Sequence, residues 1–483
     1  MKHPLIRKNI CVILAVACGM QLCGCSLQLP FGDDVEEVVI GNTVEDPPTL
    51  GLTPVFDYSY TSTKPSVLVD QTGYLPDSDK KAYFIGEELP DTFDVIDMES
   101  GRTVYSGAIK SRESNLQSGV YVAYGDFSEL QDPGNYYLKR DGLGYSYAFT
   151  LDDEAYRPII ESIYSTLSLQ VDAMLQEARQ ADQTYLFTEQ NVVQLCEAFQ
   201  IMLTTRELFA KDMADEADSI VDANGIPAGL ALMKNALDLM EASEMPSDLS
   251  EAMLATFEVK FAYSYLNMNA TVAAGYGKSA ATRWQQVKNR NVGTDDTNFA
   301  AELRLGAAEL YRYSGNTAYQ SFYQTNSVAE GSEDTLAGFL GDIVYLSTTR
   351  KVDTDLCEMM INRLLRTTEE IANDSKAQAY QVDVGGPGSP QDNLLWKMMR
   401  MSVVDYVITN HEYTTVIENH IHYLAGCNES GVAMIPLDTE RESKYYAAAS
   451  DTSELYSSLR QMSEALMMLH ALESAKNTVI LGS

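Results

Sequence analysis

The chain has 483 residues, of which 45% are hydrophobic, enough for a sizeable core and for two or three domains. Its formal net charge is −35, from 34 basic against 69 acidic residues. That balance repels nucleic acid and anionic lipid headgroups, so it excludes partners that depend on a basic surface.

At the N-terminus, Lys2, Arg7 and Lys8 precede an apolar stretch, Ile10 to Leu22, interrupted only by Gly19 and Gln21. This is the layout of a secretory signal, and it falls short of the roughly 20 apolar residues a membrane-spanning helix needs. The stretch closes on Leu22-Cys23-Gly24-Cys25. That segment resembles the bacterial lipobox, which implies removal of residues 1–24 and lipidation of Cys25. Two acyl chains on one cysteine hold a protein where a single chain is marginal. The expectation is a lipid-anchored protein on the outer face of a membrane, touching the bilayer through its lipid alone. Of the seven cysteines, Cys11, Cys18 and Cys23 leave with the leader. Cys196, Cys357 and Cys427 lie within helical patterns and show neither a disulfide framework nor zinc spacing. They read as small core residues, and nothing here calls for a cofactor or a metal.

Residues 25–64 read as a disordered tether. They hold Asp33, Asp34, Glu36, Glu37, Glu45, Asp46 and Asp57, no basic residue between 26 and 63, and Pro47-Pro48, a composition that self-repels and cannot collapse. Residues 65–151 change to short runs of β-branched and aromatic residues. The runs are Val67–Val69, Ala82–Ile85, Phe93–Ile96, Thr103–Tyr105, Val120–Tyr124, Tyr136–Leu138 and Tyr145–Thr150, punctuated by Gly73, Pro76, Ser100-Gly101, Pro133-Gly134 and Asp141-Gly142. About seven strands in this length predict an antiparallel β-sandwich. From 152 to 483 the apolar residues recur at three and four positions, as in Ile159–Leu175, Val192–Phe209, Ala252–Leu266, Phe299–Tyr313 and Leu455–Leu472. Ten to twelve helices follow, and paired helices closed into a toroid are the natural architecture at this size.

Three segments then carry a resemblance. Val67 to Pro76, with Phe93–Asp97 and Ser118–Tyr121, resembles the immunoglobulin-like module that precedes many family 9 glycoside hydrolases. Ala300 to Tyr323 resembles a helical segment of that family's catalytic toroid. Asn419 to Gly431 resembles its "YLLGxNPxG" stretch. The match spreads over roughly residues 66 to 475 and implies an all-α (α/α)6 toroid behind the sandwich, with an open cleft for β-linked glucans or related sugars. A polysaccharide or oligosaccharide is therefore the expected partner; the sequence sets no oligomeric state.

The family hydrolyses with inversion, which needs two carboxyls about 6.5–9.5 Å apart with a water between them. The resemblance places the family's Asp-Ala-Gly-Asp base loop near residues 184 to 187, which read Thr184-Tyr185-Leu186-Phe187. Glu189 and Asp182 are near enough to substitute as base if the loop is shifted. The family's His-His-Arg is also missing, since 435–446 contains Arg441 but no histidine. Glu454, in Asp451-Thr452-Ser453-Glu454, matches the general acid; alternatively Asp451 or Thr452 caps the last helix and Glu454 sits in its first turn. Two functions remain open: a surface protein that engages glycan with weak or lost hydrolysis, or an inverting hydrolase using Glu454 with Glu189, Asp182 or Asp295 as base. Asp295-Asp296 otherwise starts a helix. His420 and His422, two apart, point to different faces of a helix and make a poor metal pair. The Asp383–Pro390 segment is a loop that could line a rim. Trp284 and Trp396 are the tryptophans available as sugar platforms.

Overall fold

The computed structural model describes residues 66–111, 121–180, 184–216, 226–290, 296–326, 334–387, 389–408, 413–435 and 458–479. Among these residues eight strands come first: β1 (Val67–Leu68), β2 (Lys81–Gly86), β3 (Thr92–Asp97), β4 (Thr103–Ser111), β5 (Tyr121–Asp126), β6 (Gly134–Arg140), β7 (Gly144–Tyr145) and β8 (Phe149–Leu151). All pair antiparallel, in the order β1-β2-β5-β4-β3-β6-β7, with β8 also on β6. β4 joins the two layers, because its first part pairs with β3 and its end, Ile109–Ser111, pairs with β5. Alternate residues Phe93 and Val95, Tyr136 and Leu138, and Ala82 and Phe84 turn inward to a core closed by Tyr74, Phe127 and Phe149, the period-2 pattern of a two-layered sheet. The run at Tyr145–Thr150 breaks into two short strands rather than one.

Twelve helices follow among the described residues. They are α1 (Arg157–Ala178), α2 (Glu189–Glu216), α3 (Ala228–Glu241), α4 (Asp248–Tyr265), α5 (Ala270–Arg290), α6 (Thr297–Ser314), α7 (Thr317–Asn326), α8 (Leu336–Ser347), α9 (Thr354–Ala377), α10 (Pro390–Ile408), α11 (Thr414–Leu424) and α12 (Leu459–Val479). The even-numbered helices form an inner ring. α2, α4, α6 and α8 pack in succession, α12 packs on α2 and α10 on α12, and Phe339 of α8 meets Trp396 of α10 at 5.8 Å between ring centroids. The odd-numbered helices lie outside. α1 buries only one stripe, Ile159, Ile160, Ile163, Leu167, Val171 and Leu175, as an outer helix should. α4 buries nearly every side chain from Ala252 to Ala262, Glu258 and Lys260 included, because neighbours surround it. This is the six-hairpin toroid that the helical count implied. No described helix is long and apolar enough to cross a membrane.

Sandwich and toroid share a core, since Leu68, Leu75, Tyr83 and Val122 pack with the helical interior. The resembling segments Val67–Pro76 and Asn419–Gly431 meet here. Asp70 Oδ1 accepts from Thr72 N and Gly73 N and holds a tight turn that presents Gln71. Gln71 N donates to Ala425 O at 2.9 Å and its Nε2 to Gly431 O at 2.9 Å. Gly426 has φ +119°, and a Cβ there would fall 2.2 Å from Gln71 Nε2, so both backbone and space require glycine. Lys81 Nζ donates to Gln381 Oε1 and Asn419 Oδ1, and Tyr83 OH to Tyr380 O.

Candidate functional site

The N-terminal halves of five inner helices, α2, α4, α6, α8 and α12, converge at one end of the toroid around a cavity of about 320 Å³. α2 supplies Val193, Glu197 and Gln200, α4 Leu249 and Met253, and α6 Asn298 and Glu302; Asp334 and Thr335 lead into α8, and Arg460 comes from α12. The helix starts are locally encoded. Ser247 accepts from Ser250 N, Asp296 from Asn298 N and Phe299 N, and Thr335 from Gly338 N, each a side chain satisfying an orphan helix donor. The positive ends of several helix dipoles therefore face the cavity, where carboxylates are favoured.

Arg460 stands between two carboxyls, its Nε 2.9 Å from Glu464 Oε1 and Nη1 3.5 Å from Glu197 Oε1. Burial pushes the Glu464 carboxyl up to about 7 although Arg460 opposes the shift. Burial likewise raises Glu197 above the usual carboxylate range, again against Arg460. Glu302, 3% exposed, accepts from Gln200 Nε2 at 3.2 Å. Burial pushes it up to about 7, with hydrogen bonds from Thr256 and Gln200 pulling the other way. At the opposite end of the ring, Lys260, Glu309, Arg312 and Glu207 form a buried ion network across α2, α4 and α6. Its charges balance, so it reads as bracing for the ring.

The sequence-derived candidates fall as follows. Glu189 is the first residue of α2, exposed at the cavity end, and its Oε1 accepts from Ser247 Oγ at 2.8 Å. Asp182, Asp295, Glu454, Arg441 and Cys25 lie outside the described residues. The last described helix begins at Leu459, with Ser458 Oγ accepting from Gln461 N; Asp451 and Thr452, the alternative caps, lie outside the described residues. Residues 184–187, where the resemblance put the base loop, run beside the end of α1, with Tyr185 bridged antiparallel to Arg179. Gln180 N donates to Thr184 O, and Leu186 N to Ala178 O, each at 2.8 Å. Tyr185 stacks on buried Phe187, and Leu186 points to solvent.

Asp296 caps α6, as the helix-start reading had it. Both ring nitrogens of His420 are engaged, with Val416 O and Asp383 N, as are those of His422, with Asp70 and the Asp79 carbonyl. Neither ring has a nitrogen left for a metal, and both join parts of the fold. The Asp383–Pro390 loop leads into α10 at the cavity end, held by Lys397 Nζ on Asp383 Oδ2 at 2.5 Å. Cys196, Cys357 and Cys427 are buried thiols, but Cys427 follows α11 instead of lying within it. Trp284 is 1% exposed and donates to Leu303 O, which withdraws it as a sugar platform. Trp396 is half-buried beside the cavity with the Arg400 and Arg460 guanidinium groups over its ring, at 5.2 and 5.3 Å.

Sequence reasoning missed Glu197, Gln200, Glu302, Arg460 and Glu464. A signal existed: Glu302 and Glu464 sit in windows where a helix has no polar face to put them on.

The comparisons come down on the same architecture. Residues 62–145 match the family model of the cellulase N-terminal ig-like domain. No curated protein sequence matches the chain. A family 9 glycoside hydrolase from Bacteroides ovatus is similar at a TM-score of 0.64 and 14% identity, over 85% of this chain and 99% of that one. AaCel9A in complex with cellobiose-like isofagomine gives 0.65 and 15%, over 84% and 99%. A metagenome-derived family 9 endoglucanase gives 0.66 and 15%, over 84% and 99%. Identities this low establish the fold alone: an immunoglobulin-like domain followed by the (α/α)6 toroid seen in family 9 glycoside hydrolases.

Proposed function

We propose that the chain is a surface lipoprotein, anchored through Cys25, whose toroid holds a β-linked polysaccharide or oligosaccharide and hydrolyses it weakly or not at all. The observation that carries this reading is the segment Thr184–Phe187. Where the resemblance calls for paired aspartates, the chain places a hydroxyl, two aromatic rings and a leucine, with Phe187 packed into the core. An acid without a positioned base makes a poor inverting hydrolase. The cavity supports binding, since its volume suits a small-molecule site, which runs from about 300 to 1,000 Å³, and it mixes apolar with hydrogen-bonding side chains.

The competing reading is an active inverting hydrolase with Glu454 as acid and a rearranged base. It draws on Glu189, which stands at the same end as the cavity but is already engaged by Ser247. Affinity electrophoresis of the purified ectodomain in β-glucan gels, run beside a reducing-end assay, tests the two. Retardation with almost no release is expected. Robust release of inverted sugar would contradict the reading.

A further inference from the structure

We propose that the cavity takes a sugar residue bearing a free ammonium group, an amino sugar, with the Glu302 carboxylate as its counter-ion. This rests on the glycan-binding reading and names the class of glycan within it.

The first support is a contrast among buried carboxyls of the inner ring. Glu258 has Arg283 Nε at 2.9 Å, Glu309 has Lys260 Nζ at 2.8 Å, and Glu464 has Arg460 Nε at 2.9 Å. Glu302 is as deeply buried, yet only Gln200 Nε2 and the Thr256 hydroxyl serve it. Among the described residues no ammonium or guanidinium lies within ion-pair reach of it. A buried carboxyl is normally paired. Glu302 instead lines the 320 Å³ cavity, so a partner can reach it from there.

The second support is the charge around that space. Glu197, Glu302, Asp334 and Arg460 line it; Arg460 is shared between Glu197 and Glu464 and Asp334 has Arg400 Nη1 at 3.9 Å, so among the described residues Glu302 is the lining carboxyl left without a cation. A carboxylated sugar would be repelled and a neutral hexose would leave that carboxyl uncompensated, whereas an ammonium offsets it. The net charge of −35 acts in the same direction at long range, raising the local concentration of cationic ligands. Asn298 and Gln200 offer hydrogen bonds to hydroxyls, and Leu249 and Met253 offer apolar surface to C–H groups. Glu302 is pushed up to about 7 by burial, so an entering ammonium would favour its ionised form and release a proton.

The test compares three oligosaccharides of equal length on the intact ectodomain by titration calorimetry near neutral pH: β-linked glucosamine, its N-acetylated form, and the neutral glucan. Close charge pairs in binding sites contribute enough for a preference of about tenfold or more. Tighter binding of the amine form is expected, weakened by salt, with the N-acetyl form falling to the level of the glucan. Glu302→Gln should abolish that preference while the neutral glucan still binds. The N-acetyl comparison needs no variant and stands even if Glu302→Gln fails to fold. Equal binding of all three oligosaccharides, or a preference that survives Glu302→Gln, overturns the proposal and leaves the glycan reading in place. Binding of none overturns both.

Discussion

His422 Nδ1 lies 2.8 Å from Asp70 Oδ2, both groups fully buried, while His422 Nε2 lies 3.0 Å from the carbonyl of Asp79. One ring on α11 thus holds two points of the sandwich. Replacing either member leaves its partner buried and uncompensated, which costs about 3 kcal/mol or more. Asp70→Asn and His422→Ala should each lower the denaturant midpoint accordingly, and the double variant should cost less than the sum of the two. Unchanged midpoints would show that this contact does not hold the domains together.

The shared core predicts that the toroid does not tolerate loss of the sandwich. Removing residues 66–150 would uncover the helical surface now packed against Leu68, Leu75, Tyr83 and Val122. Large newly exposed apolar patches favour aggregation. The fragment 152–483 should therefore melt at a lower temperature and associate in light scattering. A monodisperse fragment with unchanged melting would contradict this.

Much of this architecture was legible because period-2 and period-3.6 burial write themselves into the chain. The strands around Phe93 and Leu138 and the stripe of α1 are examples. α5 was not singled out as a helix, because its buried stripe mixes Ala273, Gly277 and Ala280 with Tyr276, Trp284 and Val287 and so holds a single large aliphatic; the structure seats Tyr313 against Gly277. The cavity was illegible for another reason. Its lining comes from five helices distant in sequence, and only ring closure brings Glu197, Glu302 and Arg460 together. Two of the three segments that resemble family 9 glycoside hydrolases turn out to lie against each other. In the structure Val67–Pro76 and Asn419–Gly431 are the two halves of one interface.

The raised carboxyls set a pH dependence whose sign follows from linkage. Glu302, held at about 7 against an ordinary 4.5, binds its proton more tightly folded than unfolded. Its contribution therefore falls as pH rises from about 4.5 to 7. His420 and His470, lowered to about 4 from 6.5 by burial, act oppositely, adding stability as pH rises from 4 to 6.5. Glu302→Gln removes only the first effect. Its stability relative to wild type should increase between pH 4.5 and 7, by up to about 3 kcal/mol. A difference that does not change with pH would contradict the burial argument.

Anchoring has a direct test. Cys25→Ser should release the protein from the membrane fraction, or leave it held only by an uncleaved leader, with no incorporation of labelled lipid. A variant that stays lipid-labelled and is processed like wild type would rule out Cys25 as the anchor.

The central claim is that the toroid binds glycan without efficient turnover, and release of reducing ends by wild type beside Glu454→Gln tests it most directly. Glutamine keeps the shape of the side chain and removes the titratable proton, and losing a working general acid typically costs on the order of 10²–10⁴ in rate. The account predicts trace release from wild type and the same trace from Glu454→Gln, because no acid catalysis is under way. Robust release of inverted sugar by wild type, abolished in Glu454→Gln, would contradict it and send the search for the base to Asp182, Glu189 and Asp295.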